Sequence, residues 1–134
     1  MATKDMYAVL GESADISLLA GTGTETEIGV ALAPGNGTIA RGTIIQKAAN
    51  GLYAPAKSGA MAGGECAVLM HDEETGAEAS GIAGSAAAYR TGRFIAGKLK
   101  LAEGALTASD LLELRRQGII AHGAEGELNN SVTA

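Results

Sequence analysis

Short runs of alternating apolar and polar residues occupy most of this chain, and only one stretch carries a helical period. The clearest signal lies in residues 40–55. Thr43, Ile44 and Ile45 are β-branched and suit a pleated sheet. Asn50-Gly51 predicts a two-residue type I′ turn, since both positions of that turn need positive φ. Tyr53 and Pro55 then mark a strand that ends or lies at an edge, because proline cannot donate to a ladder. Upstream, Leu18, Leu19, Ala20 and Gly21 open the domain. Residues 22–27 read as a Thr-rich polar loop. Ile28, Val30 and Leu32 alternate at period two and predict a strand over 28–33, closed by the turn cluster Pro34-Gly35-Asn36-Gly37.

Downstream, residues 57–64 form a Gly/Ala-rich loop, 67–71 a short buried strand and 72–76 a charged turn. Residues 79–88 are too rich in Gly, Ala and Ser for periodicity to decide between helix and strand. Residues 89–95 predict two short strands around a break at Gly92. Lys98 and Lys100 alternate with Leu99 and Leu101, which gives one wet face. The single helix starts at Thr107, an N-cap whose partner Asp110 completes a capping-box pair and suits the positive helix start. Ala108, Leu111 and Leu112 make its apolar stripe. Arg115 and Arg116 sit in the last turn, Gly118 takes the left-handed stop with Ile119 packing back on Leu114, and residues 119–121 return as a strand. The pattern as a whole is mainly β with one short helix, an α+β domain over 18–124. An arm (1–17) precedes it and a polar tail (125–134) follows.

Composition changes this picture in one respect. The 134 residues suffice for one domain, and such a domain buries about two thirds of its unfolded surface. Yet the chain holds 20 Gly, one Phe, three Tyr and no Trp. Small side chains bury little area each, so added surface from a partner or from further copies is expected. The net charge of −5 and the dispersed cations argue against direct nucleic-acid binding. The single Cys66 excludes an internal disulfide and reads as a small buried residue. The sequence lacks a signal-peptide pattern and the ~18 apolar residues of a membrane span, so synthesis in a cytoplasm is expected.

Candidate chemistry is sparse. The cluster His71-Asp72-Glu73-Glu74 contains metal-ligand types, but adjacent residues on a turn do not converge, and it reads as a solvated charged turn. His122 reads as a surface residue. Gly21-Thr22-Gly23 is not followed by a helix, as a phosphate loop requires. Ser13, Ser58, Ser85 and Ser109 lack the nucleophile-elbow context. Arg41 reads as an exposed cation at the start of a strand. No catalytic, cofactor-binding or metal-ligating set emerges.

An ordered series of motifs from Leu18 to about Gly123 resembles the lambda-type phage head decoration (capsid-stabilising) proteins. It comprises Leu18-Leu19-Ala20-Gly21, the strand Arg41-Gly42-Thr43, the return Asn50-Gly51-Leu52-Tyr53-Ala54-Pro55, the apolar strand Val68-Leu69-Met70 before an acidic turn, and Leu114-Arg115-Arg116-Gln117-Gly118-Ile119-Ile120. The resemblance implies a compact β-tulip, barrel-like domain and no catalysis or cofactor. It implies homotrimers on the outer surface of the expanded virion head, at threefold and quasi-threefold sites. There they would bridge major capsid proteins and hold the shell against packaged-DNA pressure, with no membrane or direct nucleic-acid partner. Arg41, Gly42, Thr43, Asn50, Gly51, Tyr53, Pro55 and Gly118 are then scaffold. Met6, Tyr7, Ala8, Val9 and Leu10, the extended-compatible stretch of the arm, are the expected capsid-binding residues, able to add a strand to a partner's sheet edge. Two other classes stay open. One is a small β-barrel binding module of a sugar-processing protein; the other is a small enzyme with an unrecognised site.

Overall fold

The computed structural model of the protein describes residues 18–122. The expected arm, with Met6 to Leu10, and the expected tail from 125 lie outside the described residues. The elements in order are β1 (Leu19–Leu32), β2 (Thr38–Ile39), β3 (Ile44–Lys47), β4 (Tyr53–Pro55), β5 (Cys66–Leu69), β6 (Glu73–Glu74), β7 (Gly84–Ile95), helix α1 (Ala108–Arg116) and β8 (Ile119–His122). Single 3₁₀ turns occupy Met61–Gly63 and Ala96–Lys98. The domain is mainly β with one helix.

The main sheet runs β1-β4-β3-β5-β7-β8, and β1 also pairs with β7, which closes the first five strands into a barrel. Closure covers the edge of β1, which would otherwise be open to pairing along most of its length. The β1–β7 ladder is long and antiparallel, from Leu19↔Phe94 to Leu32↔Gly84. The opposite seam is thin: β1 meets β4 in parallel at Leu32↔Tyr53 alone, reinforced by the Ala33 amide donating to the Tyr53 carbonyl at 2.8 Å. Strand β8 adds in parallel to the C-terminal half of β7. The described chain enters and leaves there together: the Ile95 amide donates to the Leu18 carbonyl at 2.8 Å, and Ile95 pairs with His122.

Alternation along the central strands explains the core. Ile44, Cys66, Val68 and Tyr89 face a cluster with Leu18, Met61, Phe94, Leu111, Leu114 and Ile119, on the side the helix covers. Their neighbours Ile45, Ala67, Leu69 and Ala88 face a second cluster with Val30, Leu32, Ile39 and Tyr53, enclosed by strands. Strand β5 is therefore buried on both faces, which is why it reads as a continuous apolar run.

Several expectations need correcting. Residues 22–27 are part of β1, because β7 supplies a partner: Thr26 and Glu27 pair with Thr91 and Tyr89, and the two threonine hydroxyls bond at 2.8 Å. Between Gly21↔Arg93 and Thr26↔Thr91, β1 advances five residues while β7 advances two, so the surplus is taken up as a bulge. Residues 89–95 form one strand with 84–88, since Gly92 stays in the ladders and pairs with Ile119. Residues 98–101 alternate in burial as expected but form a 3₁₀ turn and one isolated bridge, Thr43↔Lys100. The charged turn 72–76 contains β6, paired with β2.

The 40–55 hairpin stands, with a different turn. The Gly51 amide donates to the Ala48 carbonyl and the Ala48 amide to the Leu52 carbonyl, both at 2.9 Å, so the central pair is Ala49 and Asn50. Gly51, at φ 87°, follows it, and the Asn50 side chain accepts from the Leu52 amide at 3.0 Å. A longer loop with glycine in the left-handed position replaces the two-residue turn because the register pairs Lys47 with Tyr53. In α1 the Thr107–Asp110 capping box is present, Gly118 has φ 92° and its amide donates to the Arg115 carbonyl at 3.0 Å. The buried stripe, however, is Leu111 and Leu114; Leu112 is 51% exposed and Ala108 is exposed.

Gly42 shows the tightest backbone approach in the family-like motif. At φ 90°, a Cβ there would stand 2.5 Å from the Lys98 carbonyl oxygen. Gly42→Ala is expected to cost about 3 kcal/mol, from left-handed strain plus displaced backbone. Gly51→Ala, with open space around it, should cost about 1–2 kcal/mol. Urea denaturation midpoints at unchanged m-value check both; equal losses would refute the close-approach argument.

Candidate functional site

The polar residues of the described chain gather in two fastenings and one groove. The first fastening centres on Asp110, which is 2% exposed. Its carboxylate accepts from the Ser58 hydroxyl at 2.6 Å, the Gly59 amide at 2.7 Å and the Thr107 amide at 2.9 Å. Thus the N-cap residue pair of α1 also holds the 57–60 loop. Burial pushes the Asp110 pKa up, but these donors outweigh it and hold the carboxyl below its ordinary value. Every oxygen is occupied by a fixed donor, so the group is a fastener rather than a proton carrier.

The second fastening links β4, β7 and the end of α1. The Tyr53 hydroxyl donates to Glu65 at 2.6 Å, and Glu65 lies 3.4 Å from Arg90. Arg90 donates to the Gln117 carbonyl at 3.0 Å. The Gln117 side chain accepts from the Cys66 amide at 2.7 Å and donates to the Met61 carbonyl at 2.9 Å. Burial, with the adjacent Glu65 carboxylate, pushes the Tyr53 hydroxyl up to about 12. Burial pushes the Cys66 thiol up to about 11. Both groups therefore stay protonated near neutrality, which suits anchoring rather than nucleophilic chemistry.

The scaffold residues singled out in the sequence do not converge on one point. The Arg41 amide donates to Asp72 at 2.7 Å, which ties the Arg41-Gly42-Thr43 strand to the acidic segment. Arg41 is half-buried rather than exposed. Asn50 and Gly51 shape the hairpin, Tyr53 anchors its return, Pro55 pairs with Ile45, and Gly118 ends the helix. Of the acidic cluster, His71 and Asp72 are exposed, while Glu73 and Glu74 form β6. Glu74 is held below its ordinary pKa by the Thr38 hydroxyl first and the Gly76 amide second. His122 is half-buried and accepts from Arg93 at 3.3 Å. Among the described residues no three His, Cys, Asp or Glu stand close enough to hold a metal, and no helix is long and apolar enough to cross a membrane.

The sequence reading missed the long-range roles of Glu65, Arg90, Gln117 and Ser58. Their partners lie 12 to 56 positions away along the chain, beyond any local pattern. It also missed a groove of about 500 Å³ between β2 and β4, lined by Thr38, Ile39, Ala54, Pro55, Lys57 and Lys100.

Compared with known proteins, the chain matches no family model and no curated protein.

Replacing Asp110 with Asn should cost about 1–3 kcal/mol at pH 7, because the amide sets an N–H₂ group against one of the three donors and leaves it unpaired. Because the folded pKa is depressed, the carboxylate's contribution is complete above the ordinary aspartate value near 4 and is lost as pH falls through the lower folded value. The gap between wild type and variant should therefore hold down to about pH 4 and narrow as the pH falls further, read by denaturant unfolding. For Cys66, iodoacetamide labelling at pH 8 should be at least about 100-fold slower in the native protein than in urea, since a pKa near 11 leaves little thiolate; comparable rates would show an accessible thiol.

Proposed function

We propose that the protein is a non-catalytic head decoration protein of the lambda type. It binds the outside of the expanded capsid as trimers at threefold and quasi-threefold sites, and cements neighbouring major capsid proteins against packaged-DNA pressure. The motif series from Leu18 to about Gly123 supports this reading. So does one structural observation, on which it chiefly rests: the described chain enters at Leu18 and leaves at His122 on either side of Ile95. The arm and tail thus attach at one end of a closed barrel, as one-sided attachment to a shell requires.

In a trimer, three arms would start from the same side, so individually weak strand additions by Met6 to Leu10 gain strength through avidity. The sugar-module reading has less support. Its aromatic platform is missing among the described residues, where Tyr53, Tyr89 and Phe94 are all buried.

The test mixes purified protein with expanded and unexpanded heads of the phage that carries its gene, followed by electron microscopy and sedimentation. Binding to expanded heads at threefold positions is expected, and binding to neither form would refute the proposal. Deleting residues 1–12 should weaken binding by roughly 100-fold or more, because each of three linked contacts is lost. Unchanged occupancy would remove the arm from the mechanism.

A further inference from the structure

The groove between β2 and β4 combines three properties. The first is open strand edge. Among the described residues strand β2 pairs only with β6, so Thr38–Ile39 keeps one open edge; β4 adds no more than the Pro55 carbonyl, because the Ala54 backbone is paired with Gln46 of β3. The second is charge. Lys57 and Lys100 are both exposed on this groove, the Lys100 ammonium reaching the Arg41 carbonyl at 3.4 Å, and among the described residues no acidic side chain is in the lining; the nearest contact of that kind is the Glu74 carboxylate, which accepts from the Thr38 hydroxyl. The third is position. Thr43, also in the lining, bridges to Lys100 and follows Gly42. A Cβ at Gly42 would stand 3.4 Å from the Leu18 side chain, so the residue before Thr43 packs against the start of the described chain.

We infer that this groove receives an extended, carboxylate-bearing segment of the major capsid protein, laid along the open β2 edge with its acidic side chains on Lys57 and Lys100. The inference rests on the decoration reading and adds to it a second contact, made by the folded domain rather than by the arm. An extended segment fits because strand edges offer main-chain hydrogen bonds at regular spacing, whatever the partner's sequence. Pro55 contributes no donor, the Ala54 backbone is taken by Gln46 and the Tyr53 carbonyl by Ala33, so β4 lines the groove without offering it a ladder. The lysines then supply preference among extended segments. They attract acidic ones and exclude basic ones. Because both lysines are exposed, their contribution should weaken with added salt. The groove adjoins the first fastening, since Lys57 opens the loop that Asp110 holds through Ser58 and Gly59.

The test uses full-length protein bound to expanded heads. Carbodiimide cross-linking, which joins lysine to carboxylate without a spacer, should yield peptides linking Lys57 or Lys100 to carboxylates of the capsid protein. The double variant Lys57→Glu with Lys100→Glu should bind heads about tenfold more weakly than wild type, with the difference shrinking in high salt. Lys47→Glu, an exposed charge reversal outside the groove, should bind as wild type does. Wild-type binding with an unaffected double variant would overturn the groove and leave the decoration reading standing. So would cross-links running instead to Glu12 or Asp15 of the protein's own arm, or to another copy. Failure of wild type to bind heads would overturn both.

Discussion

The long antiparallel pairing of β1 with β7 is the constraint on which the remaining structure depends. It closes the barrel, and the other seam, a single parallel pair at Leu32 and Tyr53, could not close it alone. Much of this ladder joins small residues: Gly29 opposite Ala87, Val30 opposite Ala86, Ala31 opposite Ser85. Such pairs contribute little buried area, so here main-chain hydrogen bonding carries a larger share of the cohesion than in a Val- and Ile-rich barrel. The ladder also fixes β7 as the central strand. With β1 on one side, β7 takes β5 at Val68↔Tyr89 and Leu69↔Ala88 and then β8 from Gly92 onward. Because β5 has neighbours on both edges and apolar clusters on both faces, it can be wholly apolar without leaving a polar group stranded.

What was legible in the sequence follows from how local each determinant is. The α1 capping box and its stop at Gly118 are set by residues within five positions of one another, and the strands of the 40–55 hairpin by a single short loop; those elements stand where the pattern put them, the turn of the hairpin excepted. The misreadings lie where a distant strand decides. Residues 22–27 look like a loop because Thr, Glu and Gly have no inward partner in their own segment; β7 makes them a strand. Residues 79–88 gave no period because Ala and Gly satisfy either geometry, and pairing with β1 settles 84–88 as strand. Glu73-Glu74 reads as a turn by charge, yet Thr38 and Ile39 give it a partner. Leu112 was assigned to the buried stripe by spacing, but the helix turns Asp110 inward to meet Ser58 and Gly59, and that rotation leaves Leu112 outside.

The same locality governs the candidate site. Residues drawn from the motif series are structural determinants, and the structure spreads them around the frame. The groups that look chemically capable, Asp110, Glu65, Arg90, Tyr53 and Cys66, are each engaged by fixed neighbours. They hold the 57–65 segment to both ends of α1: Asp110 at the start, Gln117 at the end. A helix of nine residues has marginal stability alone, so these two fastenings and the Leu111–Leu114 contact are what keep it on the barrel. Polar side chains in this protein thus substitute for the large apolar ones its composition lacks.

On the decoration reading, the geometry of the ends acquires a mechanical sense. A pull on the arm enters at Leu18 and runs along β1, parallel to the strand axis. The β1–β7 hydrogen bonds lie across that axis, so they would share the load in shear instead of opening one after another from the end. Strand β8, which ends beside the same point, passes load from the other chain end into the same strand through its own ladder, Gly92↔Ile119 to Ile95↔His122. The strand that closes the barrel is therefore the one to which both ends of the described chain are tied. On that reading a barrel of small side chains would act as a tether, because resistance to pulling would come from the number of bonds loaded together rather than from the depth of the core.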